Sequence, residues 1–394
     1  MPTGCASFTN TEYRARQVKT RAAMDVAGVD VIIATDPSNQ AWLTGYDGWS
    51  FYVHQAVILT PEGDPYWWGR LQDANGALRT CYMQPEYIYG YAERYIQSTS
   101  CHPMEDLVER LKALGYEGGR IGVEMENYYF SAKAFEVLKN SMPNAEFLDV
   151  TALVNWQRAI KSVAEIDYIR RAAKITDKII TTALEGAVAG RRKNELVAEI
   201  VANGIVGVGD DWGDYPAIVP LLPSGSDAAA SHLTWDGRPM RDGQATFFEL
   251  SGCYRRYHAP LSRTVFLGKP PQFMVDAAEA LSAGLEAGLE AAKPGNRTCD
   301  IAFALGKELA QVGIDRQGAR CGYPIGLSYP PDWGERTYSL RESDQTVLQP
   351  GMTFHFMPGL WMHDWGLETT ETVLITETGA EALCSIERKL FVKD

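Results

Sequence analysis

The sequence of 394 residues predicts two domains, an α/β domain followed by a larger α+β domain. Short apolar runs alternate with helix-like segments over about the first 150 residues, which is a normal domain size. A long charged amphipathic helix begins close to Ser162, and strand-like runs are grouped among further helices after it. The boundary is therefore expected between Trp156 and Ser162, which gives domains of residues 1–158 and 159–394.

The elements of the first domain follow from the spacing of its apolar residues. Residues 12–28 have the spacing of a helix. Residues 29–35 form a short apolar run that ends at Asp36-Pro37-Ser38, and Ala56–Leu59 and Arg120–Val123 are similar runs between turn residues. This alternation of helix and strand is typical of an α/β domain.

The second domain begins with the amphipathic helix, which is expected over residues 164–179 with Ile166, Ile169 and Ala173 on its apolar face. Mixed helices and a largely antiparallel sheet then make the domain α+β. Further helices are expected at residues 193–205, 273–292 and 299–312, and strands at residues 217–222, 245–250, 261–267, 352–356 and 372–376.

Composition limits the classes of partner. A net charge of −13 and a pI near 5.1 argue against nucleic acid or an anionic membrane, because both attract surfaces rich in Lys and Arg. No apolar run of about 18 residues could span a bilayer, and residues 1–13 lack the features of a secretory signal. We therefore expect a cytoplasmic protein. Seven scattered cysteines without a CxxC pair favour reduced thiols, several of them buried.

Several segments of the second half resemble one enzyme family. Lys161-Ser162, Glu165-Ile166 and Arg170 to Ala173 resemble the helix that opens the catalytic domain in prolidase-like enzymes. Residues 224–232 and Arg241-Asp242-Gly243 resemble the segment that bears their substrate-side histidine. This is the pita-bread family, which contains methionine aminopeptidase, Xaa-Pro aminopeptidase, prolidase and creatinase. The resemblance implies a pita-bread fold for residues 159–394 and a creatinase-like domain for residues 1–158.

The positions where this family binds its metal ions are altered. Glu249 and Pro260 stand where the metallopeptidases have two aspartates, and Tyr323 stands at their Gly-His histidine. Met357 and Thr370 replace two glutamates. Two hard cations require several carboxylate and imidazole ligands, which Pro, Tyr, Met and Thr cannot replace. We therefore predict no metal ion and no other cofactor.

A metal-free reaction favours a particular class of substrate. Creatinase, in the same family, hydrolyses a guanidinium compound without metal. An amidinium or guanidinium carries its own electrophilic carbon, and a metal ion would repel it. Such a substrate needs carboxylates for its N–H groups, aromatic faces against its charge, and an acid or base for the departing nitrogen.

Three longer strings narrow the resemblance to the ectoine hydrolases. They are residues 42–54, 322–335 and 354–361. What this implies is opening of the cyclic amidine ectoine to an N-acetylated 2,4-diaminobutyrate. The sequence leaves three questions open: whether 5-hydroxyectoine is also accepted, which ring C–N bond breaks, and whether a deacetylase partner binds.

The candidate catalytic residues are Glu249, as nucleophile or general base, and His232, which matches the acid/base histidine of creatinase. The alternative for Glu249 is a structural carboxylate held by the backbone or by Arg263. Glu368 or Glu371 could pair with an amidinium N–H, and Arg341 resembles the arginine that clamps a substrate carboxylate. For Arg341 the alternative is an ordinary surface ion pair.

Aromatic and histidine side chains cluster in the same motifs, either as core packing or around a substrate. The candidates for substrate binding are Tyr257, His258, Tyr323, Tyr329, Trp333, His355 and Trp361. The resemblance also implies a homodimer in which Phe51, Tyr52 or His54 of one subunit reaches the partner's site. An active protein that light scattering shows to be a monomer would contradict this arrangement. Two other functions remain: a dipeptide-cleaving metallohydrolase, and a binding protein without catalysis.

Overall fold

The computed structural model describes residues 7–394 and divides the chain into two compact units, Met1–Arg158 and Ala159–Asp394. Within residues 7–394, no helix is both long enough and apolar enough to cross a membrane. The six cysteines from Cys81 onward are free thiols, five of them buried. The predicted thiol Cys5 lies outside the described residues.

The first unit is built on a six-stranded mixed sheet of order β4-β3-β2-β1-β5-β6. β1 at its centre pairs antiparallel with β2 and parallel with β5. Alternate residues of β1 enter different cores: Val31 and Ile33 pack on one face, Ile32 and Ala34 on the other, so the sheet is covered on both faces. The elements are α1 Asn10–Ala27, β1 Val31–Ala34, α2 Pro37–Thr44, β2 Ala56–Leu59, β3 Tyr66–Arg70, α3 Leu71–Thr80, β4 Ile88–Tyr91, α4 Pro103–Ala113, β5 Arg120–Val123, α5 Ala132–Ser141, β6 Glu146–Asp149 and α6 Leu153–Arg158.

The second unit contains four helices, nine strands and a short 3₁₀ helix at Gly225–Ala229 within the described residues. The sheets have the orders β14-β13-β10-β9, β15-β8-β7 and β11-β12. The elements are α7 Val163–Gly186, α8 Lys193–Val206, β7 Ala245–Tyr254, β8 Tyr257–Leu267, α9 Gln272–Ala291, α10 Thr298–Gln311, β9 Gly322–Pro324, β10 Thr353–Phe356, β11 Gly359–Trp361, β12 Gly366–Glu368, β13 Glu371–Ile375, β14 Ala380–Ala382 and β15 Phe391–Lys393.

α7 is the predicted amphipathic helix, and it extends seven residues beyond the expected end at residue 179, to Gly186. Ser162 and Glu165 form a capping box that fixes its first turn. Its buried face packs on the hairpin of β7 and β8, where Thr176 Oγ1 donates to Ala259 O at 2.6 Å. A Cβ at Gly252 would collide with Ala172 O and Thr176 N, so only glycine allows this close approach.

The strand predicted at residues 217–222 is wrong. This segment is irregular and makes only isolated bridges to β7, at Leu221 with Glu249 and at Ser224 with Thr246. Pro220 interrupts it and Pro216 and Pro223 flank it, and proline has no N–H to donate to a neighbouring strand.

Candidate active site

The hairpin of β7 and β8 carries Glu249 in the interior of the second unit. Strand pairing sets Glu249 opposite Ser262, and the Glu249 N–H donates to Leu221 O at 3.0 Å. Only 5% of Glu249 is exposed. Burial raises the pKa of its carboxyl to about 7, because the carboxylate loses its hydration. A carboxyl that titrates near neutrality can serve as a base or as a nucleophile.

A second carboxyl, Glu368 at the end of β12, belongs to the same site. Glu368 is fully buried and its Oε1 accepts from Trp361 Nε1 at 3.0 Å. Burial raises the pKa of Glu368 well above its usual value, and the charge of Glu249 raises it further. Ionisation of one of these two buried carboxyls therefore disfavours ionisation of the other. A bound cation would lower the pKa of both carboxyls and favour two negative charges.

Four side chains form a hydrogen-bonded chain beside Glu249. His355 on β10 has Nε2 at 2.8 Å from Thr370 Oγ1 and Nδ1 at 3.0 Å from Tyr323 Oη. Trp333 Nε1 donates to the same Tyr323 oxygen at 2.7 Å. His355 Nδ1 lies 3.9 Å from Glu249 Oε1. Burial, followed by the charges of Arg320 and Arg263, lowers the pKa of His355 to about 3, so its ring is neutral at neutral pH.

Glu371 is engaged by two arginines. Its Oε1 lies 2.6 Å from Arg263 Nη2 and 3.1 Å from Arg388 Nε. The Arg263–Glu371 pair is fully buried, and Arg263 also donates to the carbonyls of Ser262, Thr370, Ile386 and Glu387. We therefore keep Glu368 and not Glu371 as the candidate partner of a cationic substrate.

The alternative in which Arg263 neutralises Glu249 is wrong. Ser262 is the residue opposite Glu249, and successive side chains of a strand point to opposite faces of the sheet. Arg263 therefore points away from Glu249, toward Glu371.

Three other candidates are tied into the scaffold. Tyr257 Oη donates to Glu165 Oε1 at 2.8 Å, and His258 Nε2 accepts from the Ala217 N–H at 2.9 Å. Burial and then the charge of Arg256 lower the pKa of His258 to about 3. Tyr329 is buried, with the Arg256 guanidinium 5.5 Å from its ring centre. Their observed contacts join β8 to α7 and to neighbouring loops.

His232 and Arg341 are both exposed. His232 follows the 3₁₀ helix Gly225–Ala229, which packs against β7 and β12. Arg341 Nη2 donates to Ser339 Oγ at 3.0 Å. In the part of the chain that the structure describes, neither residue hydrogen bonds to Glu249 or Glu368, so their proposed roles require a bound substrate.

The three candidates from the first unit lie near its aromatic side chains. The Phe51 ring is 5.9 Å from that of Tyr129, and the Tyr52 hydroxyl accepts from Arg70 Nη1 at 3.4 Å. The His54 ring lies 4.8 Å from that of His102. Burial, followed by His102, lowers the pKa of His54 to about 4, so this ring is neutral at neutral pH.

Comparison with known proteins identifies the family. Residues 167–377 match the model of metallopeptidase family M24, and residues 16–160 match the creatinase/prolidase N-terminal domain. The chain is 58% identical to the ectoine hydrolase of Halomonas elongata, with 98% of each chain covered. The chain belongs to metallopeptidase family M24. This M24 protein is therefore an enzyme of the hydrolase class.

Solved structures confirm the predicted fold class. The prolidase of Thermococcus sibiricus superposes on this M24 chain with a TM-score of 0.82 at 19% identity, covering 96% of this chain and 99% of that one. The prolidase of Pyrococcus horikoshii gives a TM-score of 0.80 at 22% identity, covering 95% and 99%. The M24 chain thus has the expected α/β first domain and α+β pita-bread second domain.

The side chains of this M24 member do not fit the two-metal site that the family name implies. Besides Glu249, the expected ligand positions hold Pro260, Tyr323, Met357 and Thr370. Across residues 7–394, no three His, Cys, Asp or Glu side chains come together so as to hold a metal ion. Hard cations need several oxygen or imidazole ligands at once.

Sequence reasoning missed part of this M24 site. It did not anticipate Ser262 as the residue facing Glu249, the link from Thr370 through His355 to Tyr323, or the second arginine, Arg388, on Glu371. One signal was available: a charged Arg263 within an apolar strand predicts burial with a partner. The identity of that partner depends on strand pairing, which the local sequence does not contain.

Proposed function

We propose that this hydrolase opens the ring of ectoine to an N-acetylated 2,4-diaminobutyrate without a metal ion. The observation that carries the proposal is the pair of buried, neighbouring carboxyls Glu249 and Glu368. The pKa values of both are raised by burial, and a cationic substrate would stabilise their charged forms. The amidinium of ectoine supplies such a charge. The 58% identity to an ectoine hydrolase over nearly the whole chain supports this substrate.

Glu249 acts as the nucleophile in this scheme. One carboxylate oxygen attacks the amidinium carbon, and the new C–O bond gives an adduct without net charge. The bond to one ring nitrogen then breaks, and the departing nitrogen takes a proton from His232. Water adds to the Glu249 carboxyl carbon, returns a proton to His232 and frees the amide. One water is consumed and one C–N bond is lost.

Glu368 and the aromatic side chains hold the substrate. The Glu368 carboxylate pairs with an amidinium N–H while Trp361 Nε1 fixes its other oxygen. Tyr323 and Trp333 present rings next to the cation. In the alternative scheme Glu249 removes a proton from water instead of attacking the ring, and the same residues bind the substrate. The homodimer and its shared site stay predictions of the family resemblance.

Incubation with ectoine, before and after exhaustive chelation, tests the proposal. We expect NMR to show the N-acetyl product at the same rate in both samples, because no step uses a metal ion. Activity that is lost on chelation and restored by a divalent metal, or cleavage of an Xaa-Pro dipeptide, would favour the metallopeptidase. Ectoine binding without product would identify a catalytically silent binding protein.

Replacing His232 by alanine tests the proton donor. We expect kcat for ectoine to fall by roughly 10²–10⁴-fold, the usual contribution of a general acid or base. Imidazole added to the solution should restore part of the activity. His363→Ala is the matched control, because His363 is also exposed and has no role in the proposed reaction. Full activity of the His232→Ala variant would remove His232 from the mechanism.

A further inference from the structure

The chain from Thr370 through His355 and Tyr323 to Trp333, here called the His355 relay, has a definite arrangement of hydrogens. Thr370, His355 and Trp333 are fully buried, and Tyr323 is 9% exposed. Two of the four, Tyr323 and Thr370, stand at positions that match the metal-ligand positions of the family's metallopeptidases. The relay lies directly beside Glu249, through the 3.9 Å separation of His355 Nδ1 and Glu249 Oε1.

The direction of the hydrogen bond at each end of the relay is fixed, because the donor there is an N–H group that cannot act as an acceptor. The indole N–H of Trp333 only donates, so Tyr323 Oη accepts at that contact. The backbone N–H of Ser262 donates to Thr370 Oγ1 at 2.6 Å. His355 stands between the two hydroxyls and, being neutral, has one N–H. The hydrogen is either on Nδ1, toward Tyr323, or on Nε2, toward Thr370.

Two observations select the tautomer with the hydrogen on Nδ1. With the hydrogen on Nε2, the Thr370 hydroxyl would accept twice, and within residues 7–394 its own hydrogen would have no other acceptor. The Nδ1 lone pair would also face the Glu249 carboxylate, which instead favours an N–H at that place. With the hydrogen on Nδ1, Thr370 donates to Nε2 and His355 donates to Tyr323, so each of these groups is satisfied.

The Tyr323 hydroxyl then accepts from both Trp333 and His355, and its own hydrogen is used by neither. We propose that Tyr323 donates this hydrogen to the oxygen of Glu249 that becomes negative during hydrolysis, and that His355 is the positioning residue that keeps the hydrogen available. The inference rests on the proposed function. When water adds to the Glu249 carboxyl carbon, its second oxygen takes the charge, and the Tyr323 O–H stabilises it without giving up its proton.

The electrostatics of Tyr323 agree with a donor that stays protonated. Burial, followed by the charge of Glu249, raises the pKa of Tyr323 well above its usual value. The relay therefore presents a neutral hydroxyl group at the place where the metallopeptidases carry an imidazole ligand. A preorganised hydrogen bond replaces part of the charge stabilisation that a metal ion provides elsewhere in the family.

A kinetic comparison tests Tyr323. We expect Tyr323→Phe to lower kcat for ectoine by about 100-fold with little change in KM, which is the loss typical of one such donor. Tyr338→Phe is the control, because Tyr338 is also buried and its hydroxyl donates to Thr353 O at 3.1 Å. It should lose stability but keep its kcat. Wild-type kcat in Tyr323→Phe would overturn the inference.

Nitrogen NMR of ¹⁵N-histidine-labelled protein tests His355 independently of activity. The His355 signals are those that disappear in His355→Gln. Measured above the pKa of Glu249, they should show a protonated Nδ1 and a bare Nε2, and a protonated Nε2 would overturn the inference. If the wild-type protein does not hydrolyse ectoine, the proposed function fails. If the wild-type protein hydrolyses ectoine and Tyr323→Phe does so with the same kcat, only the role of Tyr323 is contradicted.

Discussion

Replacing Glu249 by glutamine is expected to lower kcat for ectoine hydrolysis by about 10⁴-fold, the upper end of what a catalytic acid or base contributes. Glutamine keeps the size and hydrogen-bonding shape of the side chain but has no anionic oxygen to attack the ring or to accept a proton from water. Ectoine should still bind, more weakly, because Glu368 remains. Steady-state kinetics with product NMR measures the effect, and substantial turnover would remove Glu249 from the mechanism.

The same variant should fold, and the difference between its stability and that of the wild type should change with pH in a defined direction. The pKa of Glu249 rises from its ordinary 4.5 to about 7 in the folded chain, so the native state binds this proton more tightly than the unfolded state. The contribution of Glu249 to the stability of the wild type therefore falls as the pH rises from 4.5 through 7. Glutamine removes this loss. The melting temperature of the variant, relative to that of the wild type, should therefore increase as the pH rises across this window.

Heavy-oxygen water distinguishes the two roles that remain for Glu249. If Glu249 is the nucleophile, the amide oxygen of the first product comes from its carboxyl group, and turnover in H₂¹⁸O places the label in Glu249 itself. If Glu249 only activates water, the label enters the product directly and the protein stays unlabelled. Mass spectrometry of the peptide that contains residue 249 reports the difference, and Glu249→Gln supplies the unlabelled control.

Arg263→Met is expected to lower the free energy of unfolding by about 3–5 kcal/mol, as for other buried ion pairs that lose one partner. The five N–H groups of Arg263 donate to Glu371 and to four carbonyl oxygens, and methionine leaves these acceptors buried without their donor. Urea denaturation measures the loss. Because Arg263 holds the carbonyl of Thr370, kcat should also decrease.

Two control variants separate the ion pair from the loss of packing. Arg170→Met removes the exposed pair of Arg170 with Glu381 and should cost at most about 1 kcal/mol. Adding Glu371→Gln to Arg263→Met should recover part of the stability, because the uncompensated carboxylate is removed. If Arg263→Met were no less stable than Arg170→Met, the buried pair would not stabilise the second unit.

The sequence predicted the elements whose signal is local. The apolar spacing of Ile166, Ile169 and Ala173 was enough to locate α7. Apolar runs located the first half of β7 and the second half of β8. Residues 217–222 look like a strand because five of the six are apolar, but Pro220 among them and the prolines on either side disrupt strand pairing. β3, β4 and β6, which are polar or aromatic at several positions, were not predicted.

The sequence predicted which residue types form the candidate site, but it did not predict the contacts between them. Glu249 was recognised from the family resemblance, and Glu368 was one of two options with Glu371; the structure buries Glu249 and Glu368. The partners of Arg263, Tyr257 and His258 are set by strand register and by loops distant in the chain. Such contacts arise only when the sheet is assembled, so local pattern does not reveal them.

β8 places two different side chains at neighbouring positions: Ser262 lies opposite Glu249, and Arg263 forms the buried ion pair with Glu371. Deleting or inserting one residue in this strand would turn each side chain to the opposite face, so that a charge entered the site while the ion pair lost its arginine. Evolution can therefore alter this hairpin by exchanging one amino acid for another, but not by changing its length. Length differences among relatives are expected in the connections outside residues 245–267.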